Sequence, residues 1–135
     1  KYHKKTKTMT ENEISKIIFD CGLKVHRKLG VGLYENVYEQ CLEYELKKAG
    51  LKVERQKEIN VIYEELIIEK AFRVDMLVED KVIIENKAVL EIVEYYCFQL
   101  YNYLRITNLK LGMILNFHSP LFKKGVKRIV NGLRE

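Results

Sequence analysis

Two apolar, β-branched runs, residues 71–78 and 82–88, stand on either side of Glu79-Asp80-Lys81. Runs this short and this continuously apolar read as neighbouring strands buried on both faces and joined as a hairpin. An acid interrupts each of them, Asp75 in the first and Glu85 in the second, and Lys87 follows two residues later. A three-residue loop pairs Val78 with Val82, and the ladder then sets Asp75 opposite Glu85 and Arg73 opposite Lys87, all on one face. A two-residue loop instead sets Asp75 against Ile84 and sends the carboxylates to opposite sides. The turn therefore decides whether the chain brings two acids together inside a sheet.

The rest of the chain surrounds this hairpin with helices. Thr10-Glu11-Asn12-Glu13 is a capping-box pattern, and Ile14, Ile17, Ile18, Cys21, Val25 and Leu29 recur behind it at helical spacing. Gly30-Val31-Gly32 breaks that helix, and a second carries Val37, Tyr38, Cys41, Leu42, Glu45, Leu46 and Ala49 before Gly50 as its C-terminal cap. From Leu51 the period changes to two: Val53 and Arg55, then Ile59, Val61 and Tyr63, read as strand, Glu64-Glu65 as a turn, and residues 66–68 as the return. A third helix is expected over residues 90–105, with Val93, Cys97, Leu100 and Leu104 as its stripe, then strands over 111–117 and 126–130. This order predicts an α/β fold with a mixed central β-sheet flanked by helices.

At 135 residues the chain fits one domain that needs no metal or disulfide to fold, so a metal site in it would be functional. Cys21, Cys41 and Cys97 form no C-x-x-C pair and read as small buried hydrophobes. Net charge is +5, but Lys1, Lys4, Lys5 and Lys7 fall in an acid-free head. Residues 1–8 read as a basic extension, with a single domain over 9–135. The other basic cluster is Lys123, Lys124, Lys127 and Arg128, either a phosphate-tracking edge or a solvated one. No apolar run is long enough to span a membrane and no signal peptide follows Met9, so a cytoplasmic protein is expected. The chain holds no Walker A loop, G-x-S-x-G elbow or dinucleotide-binding glycine fingerprint, and His3, His26 and His118 lack metal-ligand spacing.

Two carboxylates side by side in a buried sheet repel each other, and a hard divalent cation resolves that conflict. Mg²⁺ takes one or two carboxylates, keeps several waters and completes its shell with phosphate oxygens. Lys87, on the face of Glu85, is placed to hold or polarise an attacking water or to neutralise charge on a phosphorane-like transition state. The competing reading is a structural salt-bridge network of Asp75, Glu85, Arg73 and Lys87. Glu-x-Lys alone carries little, since about two such triplets are expected by chance in a chain of this composition. Glu45-Leu46-Lys47 is a second one, inside a helix. Elsewhere, Glu35 and Tyr38 share a helix face, as first-turn acid and core-edge aromatic or as part of a site. Gln99 and Tyr103, four apart on the third helix, either bind a phosphate or water or are polar shoulder residues.

Taken together, Gly32-x-x-Glu35-x-x-Tyr38, the Asp75 strand, Glu85-x-Lys87 and Gln99-x-x-x-Tyr103 resemble the small prokaryotic GxxExxY proteins of the PD-(D/E)XK nuclease superfamily. The resemblance implies a restriction-endonuclease-like α-β-β-β-α-β core and hydrolysis of phosphodiester bonds in nucleic acid, DNA more than RNA, with Mg²⁺ or Mn²⁺. It implies Asp75 and Glu85 as metal ligands with Glu35 as an accessory acid, Lys87 as the catalytic lysine, and Gln99 and Tyr103 as further site residues. Asn86 stands where the family carries an aliphatic residue, Tyr96 where a histidine is common, and Val31 where a proline is common. A different class remains open: a catalytically inactive binding or assembly module on the same fold. A homodimer is expected from the small size of the chain.

Overall fold

The computed structural model describes residues 8–134. The basic head expected over residues 1–8 therefore lies, up to residue 7, outside the described residues. Three helices and five strands follow in the order α1 (Glu11–Leu29), α2 (Glu35–Lys48), β1 (Val53–Tyr63), β2 (Leu66–Val78), β3 (Val82–Lys87), α3 (Glu94–Thr107), β4 (Leu111–Asn116) and β5 (Val126–Val130), with a 3₁₀ turn at Phe122–Gly125. The sheet runs β1-β2-β3-β4-β5, all neighbours antiparallel except β3 and β4. This is the mixed α/β sheet expected, consistent with a restriction-endonuclease-like core.

Local chemistry explains the boundaries. The Thr10 hydroxyl accepts from Glu13 N–H at 3.1 Å while Thr10 N–H donates to Glu13 Oε1 at 2.9 Å, closing the capping box that starts α1. At the end of α2, Gly50 has φ +91°, with Gly50 N–H bonded to Lys47 O and Leu51 N–H to Leu46 O. That is a Schellman stop on the expected glycine. Asn108, in the left-handed region, does the same for α3. α3 begins at Glu94 rather than near Leu90, because the Asn116 amide both accepts from Val89 N–H and donates to Val89 O, holding that segment against the end of β4.

Residues 66–68 and 71–78, expected as separate strands, are one strand bent at a bulge. Lys70 takes φ +52° and its N–H donates to the Asn60 side chain. Only the last part of β2 is buried, from Val74 onward, whereas β3 is buried from Val82 to Asn86. The three cysteines are free and half-buried rather than buried.

Two cores sit on opposite faces of the sheet. On one, Ile14, Ile18, Tyr38, Leu42 and Leu46 of α1 and α2 meet Met76, Val78, Val82, Ile84, Met113 and Leu115. On the other, Leu100 and Leu104 of α3 meet Val74, Leu77, Ile83 and Ile114. Each such fully buried aliphatic side chain contributes roughly 1.5–3 kcal/mol. Gly112 lets α3 approach closely, since a Cβ there would lie 2.8 Å from Leu100.

Candidate active site

The turn after β2 is three residues long. Val78 pairs with Val82, Leu77 with Ile83 and Met76 with Ile84, so the next pair in register is Asp75 with Glu85. There the backbone ladder gives way to side chains. Asp75 N–H donates to Glu85 Oε2 at 2.9 Å, and Asn86 N–H donates to Asp75 Oδ2 at 2.8 Å. Each carboxylate thus caps the backbone of the other strand. The remaining oxygens, Asp75 Oδ1 and Glu85 Oε1, accept no hydrogen bond among the described residues.

The ladder's end also corrects one expectation. Arg73 is not set against Lys87; it pairs with Glu58 of β1 and is exposed. The salt-bridge network of four side chains therefore does not form. Lys87 has no carboxylate within 4 Å among the described residues, and its ammonium instead lies 4.2 Å from the centroid of the Tyr96 ring. A cation over an aromatic face is held by the ring quadrupole without neutralising its charge.

The electrostatics follow from this geometry. Burial pushes the Glu85 carboxyl up to about 8, with the Asp75 charge adding to the rise. Burial raises Asp75 as well, against the lowering hydrogen bond from Asn86 N–H; Glu39 and Glu35 add to the rise and Lys87 opposes it. The Tyr103 hydroxyl is raised by burial, then by the nearby charges of Glu85, Tyr95 and Asp75. Its ring stacks on Phe72 of β2 at 4.1 Å and 4°. Gln99 lies one helical turn before Tyr103 and is half-buried.

Glu35 enters from α2. It is the first residue of the helix, and its Oε2 accepts from Ala88 N–H at 3.3 Å, one residue beyond Lys87. Tyr38 fixes where that helix starts. Its hydroxyl donates to Gly30 O at 2.6 Å and accepts from Leu33 N–H at 3.1 Å, while its buried ring stacks on Phe117 at 4.8 Å. Of the two readings open from the sequence, Tyr38 is thus a fully buried anchor of the glycine loop, while Glu35 at the start of α2 accepts from Ala88 N–H and adds its charge to the field at Asp75.

One residue escaped the sequence reading. Glu39, a turn after Glu35, is 4% exposed and holds three donors: Arg55 Nε and Gln56 Nε2 on Oε2, each at 3.0 Å, and Asn86 Nδ2 on Oε1 at 3.2 Å. Neighbouring strand residues Arg55 and Gln56 both reach it because Gln56 takes φ +52°. The Asn86 side chain, on the opposite face from Glu85 and Lys87, thereby finds its partner, although its Oδ1 has none. The only sequence signal was an acid four residues after another on one helix face, followed by no basic partner at helical spacing on that face.

The donor set suits a hard divalent cation. Asp75 and Glu85 each keep one oxygen free, with Glu35 near Asp75 and the Lys87 ammonium on the same face as Glu85, whereas Glu39 is taken up by Arg55, Gln56 and Asn86 on the other side of the sheet. Among the described residues no three Asp, Glu, His or Cys side chains gather as a ready-made metal cluster. Mg²⁺ does not need one, since two carboxylates plus waters and phosphate oxygens complete its shell. No helix of the described residues is long and apolar enough to cross a membrane.

A family model described as the PD-(D/E)XK nuclease superfamily matches residues 12–129. No curated protein and no solved structure gives a significant match.

Proposed function

The chain belongs to the PD-(D/E)XK nuclease superfamily, and from that premise we propose that it is a divalent-metal-dependent enzyme hydrolysing phosphodiester bonds in nucleic acid, with DNA the first substrate to test. The observation that carries this reading is the pair of buried Glu85 and half-buried Asp75 where β2 and β3 part, with Lys87 on the same face. Superfamily members generally use divalent metal ions, and Mg²⁺ or Mn²⁺ fits the oxygen donors here.

In this reading Asp75 and Glu85 would hold the cation, and Glu35 would assist from the helix start. A bound divalent ion would supply Lewis-acid polarisation of a phosphate oxygen and offset charge in the transition state. The chain's own groups do the rest. Backbone N–H groups fix the second oxygen of each carboxylate, so the free oxygens are pre-aimed and need little reorganisation. Lys87 orients the attacking water and faces the charge that develops on the phosphoryl oxygens, and Tyr96 holds its ammonium in place without quenching it. Tyr103 and Gln99 present donors from α3 to the phosphate or the water.

The test is cleavage of labelled single- and double-stranded DNA and RNA with Mg²⁺ or Mn²⁺. Asp75→Ala, Glu85→Ala and Lys87→Ala should each lower the rate by at least a hundredfold while the protein stays folded, and activity surviving all three sinks the reading. A folded wild type inactive on every substrate favours the non-catalytic module.

A further inference from the structure

The cations near the C-terminus take no part in that reading, yet the sheet register gives one of them a fixed place beside it. Glu85 pairs with Ile114, and Ile114 pairs with Lys127. The three form one row across β3, β4 and β5, with side chains on the face that packs Ile83, Ile114 and Ile129 against α3. At about 4.8 Å per strand, the Lys127 backbone stands about 10 Å from that of Glu85.

Lys127 lines a cavity of about 250 Å³ together with Lys124, Asn116, Ser119, Glu91 and Ile92, beside the connection that leads from Lys87 into α3. A second hollow, about 810 Å³, shares Pro120 and Lys124 with it and continues to Lys123, Arg27 and His26 without an acid in its lining. Many other lysines pair with acids, as Lys16 does with Asp20, Lys24 with Glu45, Lys47 with Glu43 and Lys52 with Asp80. Among the described residues, Arg27, Lys123, Lys124 and Lys127 have no carboxylate within 4 Å. Unpaired like charges lining joined hollows repel each other, and a polyanion with regularly spaced charges relieves that.

Resting on the reading of Asp75 and Glu85 as the phosphodiester site, we propose that Lys124 and Lys127, continued around Pro120 by Lys123 and Arg27, seat the phosphate backbone of the substrate nucleic acid to one side of the reacting bond. Phosphates of one strand advance about 3.4 Å along the duplex axis. With successive phosphates of a strand further apart in space than that axial rise, Lys127 meets the backbone within about two nucleotides of the bond held at the carboxylates. Glu91, at the near end, keeps the track from extending toward the start of α3.

The test is fluorescence anisotropy with a labelled 20-base-pair DNA duplex and the matching RNA duplex, in Ca²⁺, between 50 and 200 mM KCl. Removing two phosphate contacts lowers the slope of log affinity against log salt by about 1.8, so the wild-type advantage over Lys124→Ala/Lys127→Ala shrinks about tenfold across that range. The control pair Lys47→Ala/Lys110→Ala, away from the track, should keep the wild-type slope. Equal slopes for wild type and the track variant overturn the proposal, as does an equal loss in the control pair or a wild type that binds neither duplex. Mg²⁺ titration of the same variants separates the two readings. A wild type that binds duplex through Lys124 and Lys127 yet takes up no divalent ion leaves the track standing and overturns the metal site.

Discussion

Glu85 should make the metal-free protein lose stability as pH rises through the neutral range. In the unfolded chain its carboxyl ionises near the ordinary value of 4.5, whereas in the fold burial and Asp75 hold the proton up to about 8. Over that interval the native state binds more protons than the unfolded one, so the unfolding free energy falls with pH. Below 4.5 both states carry the proton and the contribution is complete; above 8 both have lost it and the curve flattens. The gap corresponds to a ceiling of roughly 4–5 kcal/mol. Sharing of the proton with Asp75 and relaxation of the site bring the expected effect to about 2–4 kcal/mol. Glu85→Gln keeps an acceptor for Asp75 N–H but has no charge to bury. Urea unfolding in EDTA at pH 5, 7 and 9 should find the variant within about 1 kcal/mol of the wild type at pH 5 and more stable by the full difference at pH 9. Curves that stay parallel from pH 5 to 9 refute the reasoning.

Two further substitutions probe the supports of the site. Glu39→Ala leaves the Gln56 and Asn86 amides without their carboxylate and removes one partner of Arg55, which keeps Glu43 and Asn36, so it should cost about 1–3 kcal/mol in urea unfolding; a cost under about 0.5 kcal/mol contradicts the network. Tyr38→Phe keeps the stack on Phe117 but leaves Gly30 O and Leu33 N–H unpaired, which should cost about 1–2 kcal/mol and lower Mg²⁺ affinity by loosening Glu35. An unchanged metal affinity in that variant would show that Glu35 does not contribute.

The sequence was most legible where one residue type has one use. Thr10 with Glu13, Gly50 after a helix, and three charged residues between two apolar runs each specify a local geometry, and the pairing of Asp75 with Glu85 follows from the last of these by counting. It was least legible where distant partners decide. Glu39 reads as a solvated helix acid until Arg55, Gln56 and Asn86 converge on it from two strands. Arg73 was expected opposite Lys87 because counting assumes a ladder that continues, whereas the carboxylates part the strands just beyond Met76 and Ile84. The start of α3 depended in the same way on Asn116, whose amide ties down Val89 from another element.

The central claim is that Asp75 and Glu85 together hold a divalent cation, and calorimetric titration of Mg²⁺ and of Mn²⁺ at pH 8 tests it most directly. Wild-type protein, with and without a DNA oligonucleotide to complete the shell, should show saturable binding that vanishes in Asp75→Ala/Glu85→Ala. Binding of equal affinity in that double variant, or no binding by the wild type in either condition, contradicts it.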